Sequence, residues 1–334
     1  MSRTIWALLS SDFSHGSTSI FAPAGTPAHS IFSLSMLVLG ITTAIFLIVA
    51  GLLLFAVIRY RHRKFDVNAA QEPPQIYGST QIELSWTVIP ILIVVLLFLA
   101  TTRIILSTQN APKPASALDV TIVGHQYWWE FSYPKLGIVT ANELHIPVSD
   151  PKHPTPTYLT MTSADTDHSF WIPRLAGKMD LIPNQINTMW LDPQATGLYL
   201  GQCAQYCGIQ HAKMLLRVYA DSPEDFASWV ARQQKPAIES SNPQAIAGRA
   251  VFQHSVCISC HTVSGTVATG RFGPDLTHLA SRDTIASGSL PNTPANMRAF
   301  IDNPAAFKPG VLMPAMHLNQ HDLDAVTAYL STLK

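Results

Sequence analysis

Four cysteines are present, and they fall in two tight pairs, Cys203 with Cys207 and Cys257 with Cys260. His211 and Met214 follow the first pair within a few residues. Thiolate and thioether are soft ligands and imidazole suits copper, so residues 201–214 read as a copper-binding loop. A mononuclear blue-copper site uses one Cys, two His and a weak axial Met. The second cysteine allows two thiolates to bridge two copper ions that share one unpaired electron, which lowers reorganisation and favours fast transfer at small driving force. Such a centre needs a second imidazole from another loop. His168, placed by the pattern on a turn between two strand-like runs, is the best candidate, and the backbone carbonyl of Gln205 can complete the shell. Zinc held by two Cys and two His is chemically possible, but the nearby Met214 favours copper.

The second pair belongs to Cys257-Ile258-Ser259-Cys260-His261, a Cys-x-x-Cys-His motif for covalent attachment of c-type haem. Its thiols add to the haem vinyl groups and His261 becomes an axial ligand. Met313, in the proline-rich run 308–314, is the preferred opposite ligand because Pro314 stiffens its loop; Met316 is the alternative. His/Met ligation raises the reduction potential and suits electron transfer. A zinc or redox Cys pair with an incidental histidine is the rival reading.

These residues need elements to position them. Charged residues are only 13% of the 334 and balance at 21 basic and 21 acidic, which argues against nucleic acid as a partner. All four cysteines are accounted for by cofactor motifs, so a disulfide framework is not expected. Residues 31–58 carry no charge and exceed the roughly 20 residues a helix needs to cross a bilayer. The basic run at 59–64 then marks the cytoplasmic side and leaves the N-terminus outside. Residues 1–30 make a poor signal peptide. A polar loop with Pro73 and Pro74 leads to a second apolar run at 84–102, in which Pro90 is tolerated. Everything after Arg103 is expected on the outer face. Beyond a linker at 110–116, short β-type runs at 118–123, 127–133, 157–161, 186–191, 198–200 and 215–219 predict a sandwich or barrel, with the copper loop between its last two strands. Pro223 starts a short helix, 235–243 is a second linker, and helical patterns follow at 245–254, 257–261, 294–303 and 320–333.

The two spans, the run from Glu83 to Pro90, the run from Gly124 to Trp129, residues 165–173, the copper loop and the Cys-x-x-Cys-His motif together resemble subunit II of a cytochrome c oxidase, of the caa type with a fused cytochrome c domain. The resemblance covers nearly the whole chain past residue 30. It implies a multidomain membrane protein: an outer N-terminal segment (1–30), a two-helix transmembrane hairpin (31–106), an all-β cupredoxin-like sandwich with a binuclear copper A centre (116–222), and an all-α cytochrome c domain (244–334). It implies copper ligands at His168, Cys203, Gln205 (through its carbonyl), Cys207, His211 and Met214.

The implied function is electron transfer from haem c to copper A and on to an oxygen-reducing subunit I, coupled to proton translocation, in the inner membrane of a bacterium with both metal domains on the periplasmic face. The implied partners are subunit I and other oxidase subunits, a cytochrome c or other donor, and lipid. No oxygen-reduction site is expected in this chain. Two departures stand out. Gln205 replaces the family's usual Glu and is a weak ligand for a hard cation, so magnesium is not expected. Tyr127 and Trp128 stand where the family usually has Trp then Tyr; the first Trp is the usual point of electron uptake, so its replacement fits a tethered donor. Tyr127 and Trp128 are therefore candidates for electron uptake or for packing. Glu83 resembles the mouth of a proton-uptake path, and Thr80 to Glu83 also reads as a capping box. The ligand set equally suits a copper A nitric oxide reductase; a membrane-tethered copper carrier would leave the haem motif without purpose. His125, His145, His153, His254, His278, His317 and His321 are expected at the surface or in packing.

Overall fold

The computed structural model describes residues 18–61, 75, 77–109, 113–115, 117–150, 154–237 and 240–334. Most of the N-terminal segment, His62 to Lys64 of the basic run, Pro73, Pro74, part of the 110–116 linker and His153 lie outside them.

Two helices carry the apolar runs, α1 (Thr26–Arg59) and α2 (Thr80–Gln109). Each extends well past its apolar run. At 1.5 Å per residue the 34-residue α1 is about 50 Å long, more than the ~30 Å hydrocarbon core of a bilayer. Phe46, Leu52, Trp86 and Phe98 are each more than 60% exposed. Large apolar side chains exposed on every face are what lipid, not water, would solvate. Pro90 is accommodated inside α2 without ending it. Thr80 is the first helical residue and Ser79 O accepts the Glu83 N–H, so Thr80 does not cap the helix and the expected capping box is displaced.

The sandwich consists of two five-stranded sheets. Its strands are β1 (Asp119–His125), β2 (Trp128–Tyr133), β3 (Ile138–Ala141), β4 (Glu143–Pro147), β5 (Thr157–Ser163), β6 (His168–Trp171), β7 (Met179–Leu181), β8 (Asn187–Leu191), β9 (Gly197–Cys203) and β10 (Leu215–Asp221). One sheet runs β3-β2-β1-β5-β8 and the other β4-β10-β9-β6-β7. The period-2 alternation supplies the core: Val120 and Ile122, Trp129, Phe131 and Tyr133, Leu159 and Met161, and Leu216 and Val218 all point inward. The sequence pattern missed β3, β4, β6 and β7. Each has three to five residues, too few for alternation to register. Asn142, between β3 and β4, takes φ +63° and accepts the Trp129 N–H on its side-chain oxygen. His168 is thereby corrected from a turn to the first residue of a strand.

Helix α3 (Pro223–Gln233) is capped by Ser222, whose hydroxyl accepts the Asp225 N–H. It buries Trp229 against Tyr133, His145 and Phe226. The C-terminal domain contains α4 (Pro243–Gln253), α5 (Cys257–Cys260), a small hairpin of β11 (Thr284–Ile285) and β12 (Leu290–Pro291), α6 (Pro294–Asp302), α7 (Pro304–Phe307) and α8 (Gln320–Leu330). Helices α4 and α8 cross at Gly248, where an added Cβ would lie 1.8 Å from the Ala325 carbonyl oxygen. Backbone lies on both sides of that contact, so neither helix can yield cheaply. Gly248→Ala is expected to destabilise this domain by about 2–3 kcal/mol, read as an earlier loss of the haem Soret signal on heating.

The sandwich and the helical domain form one compact unit, and residues 30–110 form another. Within the first, Glu143 of β4 is 3% exposed and accepts from Asp283 N at 3.0 Å, Thr284 N at 2.8 Å and the Thr284 hydroxyl at 2.6 Å. Three donors from the helical domain satisfy a carboxylate that burial would otherwise penalise.

Candidate functional site

The copper loop is closed by its own strands. β9 and β10 pair Gln202 with Leu215, and Cys203 N donates to Met214 O at 3.0 Å. Cys203 therefore ends one strand and Met214 immediately precedes the next. A single 3₁₀ turn, His211–Lys213, brings His211 back toward the thiols. Gly208 takes φ +131°, and a Cβ there would run into the Tyr127 hydroxyl. β6 pairs with β9 through Phe170 and Cys203, which brings His168 to the loop from 35 positions upstream.

The donor atoms converge. Cys203 Sγ lies 3.9 Å from Cys207 Sγ and 4.0 Å from His168 Nδ1. Cys207 Sγ lies 3.8 Å from His211 Nδ1 and 3.9 Å from Met214 Sδ. The Gln205 carbonyl oxygen is 3.1 Å from Cys203 Sγ, while the Gln205 side chain is exposed. His168, Cys203, Cys207 and Met214 are all buried, and both thiols are free. Two unoxidised thiols facing each other, each with an imidazole nitrogen beside it, fit a pair of soft metal ions bridged by sulfur. The contact with Cys207 holds the Cys203 thiol well below its ordinary pKa, and the same contact raises Cys207.

Asp165 sets the His168 ring. Its Oδ1 accepts from His168 Nε2 at 2.8 Å, leaving Nδ1 toward the sulfurs, and its Oδ2 accepts the Gln126 N–H at 2.6 Å. Burial alone would lower the His168 pKa, but the bonds to Asp165 and Cys203 outweigh it and the pKa is raised. Gly124 gives the ring room: a Cβ there would come within 2.8 Å of His168 Cδ2. Sequence reasoning gave Asp165 no role; its place three residues before His168 was the available signal. Asp165→Asn is expected to weaken copper retention about 10–100-fold with the fold unchanged, measured by chelator competition on the purified protein.

The haem motif lies in a second site. A cavity of about 410 Å³ is lined by Cys257, Cys260, His261, Met313 and Met316. His261 Nδ1 donates to the Pro274 carbonyl at 2.8 Å, which fixes the tautomer and leaves Nε2 for an iron. Burial lowers the His261 pKa, which keeps the ring neutral. At Gly273 a Cβ would approach His261 Cε1 to 2.6 Å, and at Gly270 it would meet the Ser259 carbonyl carbon at 2.4 Å. Free thiols, a preset imidazole and an apolar cavity closed by methionines fit a covalent haem. Both methionines reach the cavity, and Met313 also packs on the apolar core of the helical domain.

Gln126, Tyr127 and Trp128 of the sandwich form part of the wall of this same cavity. Tyr127 is 8% and Trp128 7% exposed, and Trp128 stacks on His125 at 4.2 Å. Gln126 Nε2 donates to the Cys207 carbonyl at 2.7 Å. One short segment thus borders the haem cavity and supports the copper loop. Glu83 lies in the first turn of α2. His145 is a packing residue, stacked between Tyr219 and Trp229.

Residues 15–104 match the family model described as cytochrome c oxidase subunit II, transmembrane domain; residues 151–220 match its periplasmic domain, and residues 245–334 match cytochrome c. Cytochrome c oxidase subunit 2 of Alkalihalophilus pseudofirmus is 32% identical, over 93% of this chain and 90% of that one. The Bacillus sp. strain PS3 protein of the same name is 34% identical, over 82% and 80%. Quinol oxidase subunit 2 of Bacillus spizizenii is 34% identical over 66% and 67%. The solved periplasmic domain of cytochrome oxidase subunit II from Bradyrhizobium japonicum is 27% identical, covering 37% of this chain and 97% of that one, with a TM-score of 0.34. The periplasmic family domain implies a copper A centre and the cytochrome c domain a haem c. The chain belongs to the cytochrome c oxidase subunit II family, as a membrane-anchored subunit of a haem-copper oxidase that carries both a copper A domain and a cytochrome c domain.

Proposed function

We propose that this chain takes electrons onto haem c, passes them to a binuclear copper centre, and delivers them to the oxygen-reducing subunit of the complex. Bound haem c and copper A supply one-electron carriers in series; the protein holds them and keeps water out. Cys257 and Cys260 would anchor the haem covalently, and His261 and Met313 would ligate its iron. His168, Cys203, the Gln205 carbonyl, Cys207, His211 and Met214 hold the copper ions. The observation that carries this reading is the shared segment: Gln126 borders the haem cavity and hydrogen-bonds the backbone of Cys207. Tyr127 and Trp128, in the wall of that cavity, would lie on the electron route from the haem toward the copper loop. The external donor, a cytochrome c or another reductant, acts on the helical domain.

In this reading α1 and α2 cross the inner membrane of a bacterium, lipid surrounds them, and both metal domains face the periplasm. Arg59, the last residue of α1, and Arg61 just after it support that orientation. Glu83 at the start of α2 takes up protons for translocation by the complex. The test is the purified complex: copper and iron of this subunit near two to one, a near-infrared mixed-valence copper band, and turnover with oxygen. Turnover with nitric oxide alone would transfer the assignment to a nitric oxide reductase, and exchangeable Cu(I) without haem would make the chain a carrier.

A further inference from the structure

Lys308 lies where the helical domain meets the sandwich. It is 2% exposed, lines the haem cavity, and belongs to the loop that leads to Met313. Its Nζ donates to the Tyr127 carbonyl at 3.1 Å, across the domain boundary, and to the Ser287 hydroxyl at 3.0 Å. Ser287 Oγ itself donates to the same carbonyl at 2.5 Å. An ammonium has three donors and no acceptor, and both partners here are neutral. Among the described residues no carboxylate pairs with it. A buried cation left with neutral partners is strongly disfavoured, and burial accordingly pushes the Lys308 pKa down to about 7. The other cation of the cavity, Arg282, is likewise lowered by burial and leaves its Nε without a partner, but it donates to the Asp275 carbonyl at 2.6 Å and has the Asp275 and Glu143 carboxylates to offset part of that burial. Lys308 is therefore a buried cation with only neutral partners in the cavity wall, and the cofactor that fits the cavity carries carboxylates.

Resting on the functional reading above, we propose that Lys308 is the positioning residue for the haem: its ammonium pairs with a haem carboxylate while its bond to the Tyr127 carbonyl ties that pairing to the copper domain. The charge also acts on the electron. A cation beside the haem stabilises the reduced state and so raises its midpoint potential relative to a neutral side chain.

The test is a redox titration of the haem bands in the purified full complex carrying Lys308→Met, Lys308→Gln or Lys308→Arg. Gln can still donate to Tyr127 but has no charge; Arg keeps the charge. The expected result is a fall in the haem midpoint of about tenfold in the reduction equilibrium, or about 59 mV for one electron, in the Met and Gln variants, with Arg close to wild type. The near-infrared copper band is expected in all of them. A Gln variant with the wild-type midpoint would reduce Lys308 to a hydrogen bond and overturn the proposal, as would an Arg variant that falls with Gln. If the Met variant does not assemble, the Gln and Arg pair still decides. Absence of covalent haem from the wild-type complex would instead defeat the functional reading itself.

Discussion

Cys207→Ser is expected to abolish the binuclear copper centre. Cys207 is the hub of the loop: its sulfur lies within 4 Å of Cys203 Sγ, His211 Nδ1 and Met214 Sδ, and the residue is 4% exposed. A serine oxygen is hard, and it cannot replace a thiolate as a bridge between soft ions. Copper bound to this subunit should fall from about two ions to one or none, and the near-infrared band should vanish. The haem domain does not draw on Cys207 for its own ligands, so covalent haem c should remain and be reduced normally by the donor. Re-oxidation of that haem by oxygen should slow by at least about a hundredfold, because the next carrier is gone. Metal analysis, optical spectra and stopped-flow re-oxidation measure the three effects separately. Retention of both ions and of the near-infrared band in the serine variant would refute the bridging role.

Met313→Ala should lower the haem midpoint on the order of 200 mV, while Met316→Ala should leave it nearly unchanged. The thioether favours ferrous iron, and axial ligand identity is a main control on haem potential. Both methionines reach the cavity, so proximity alone does not separate them. Met313 packs against the core of the helical domain and is followed directly by Pro314, a combination that fixes its side chain, whereas Met316 is not among the residues packed on that core. Redox titration of the two variants decides, and a large fall in the Met316 variant alone would reassign the ligand. Covalent attachment through Cys257 and Cys260 should survive both substitutions, so loss of haem cannot mimic the effect.

The copper loop was legible because its chemistry is local. Cys203, Cys207, His211 and Met214 fall within twelve positions, so spacing and ligand softness suffice to suggest a metal. The haem motif was legible for the same reason, and the apolar helices because lipid demands length and composition together. The short strands β3, β4, β6 and β7 were not, since three to five residues carry too little alternation and are held by their neighbours in the sheet. His168 could be nominated by its type, but its strand and the Asp165 contact that aims its ring required the fold.

The sequence by itself determined where the thiols, imidazoles and thioethers cluster, the Cys-x-x-Cys-His motif, the two membrane-length helices and a β domain followed by a helical one, because each is written in residues close along the chain. Tertiary structure alone decided how the two metal domains meet. Glu143 finds its donors about 140 positions away, and Lys308 reaches the Tyr127 carbonyl across 181. Tyr127 and Trp128 could be read from sequence only as candidates for electron uptake from a tethered donor or for packing; the fold makes them, with Gln126, part of the wall of the haem cavity. The physical reason is that a buried charge or aromatic ring is defined by what covers it, and the covering groups come from another domain.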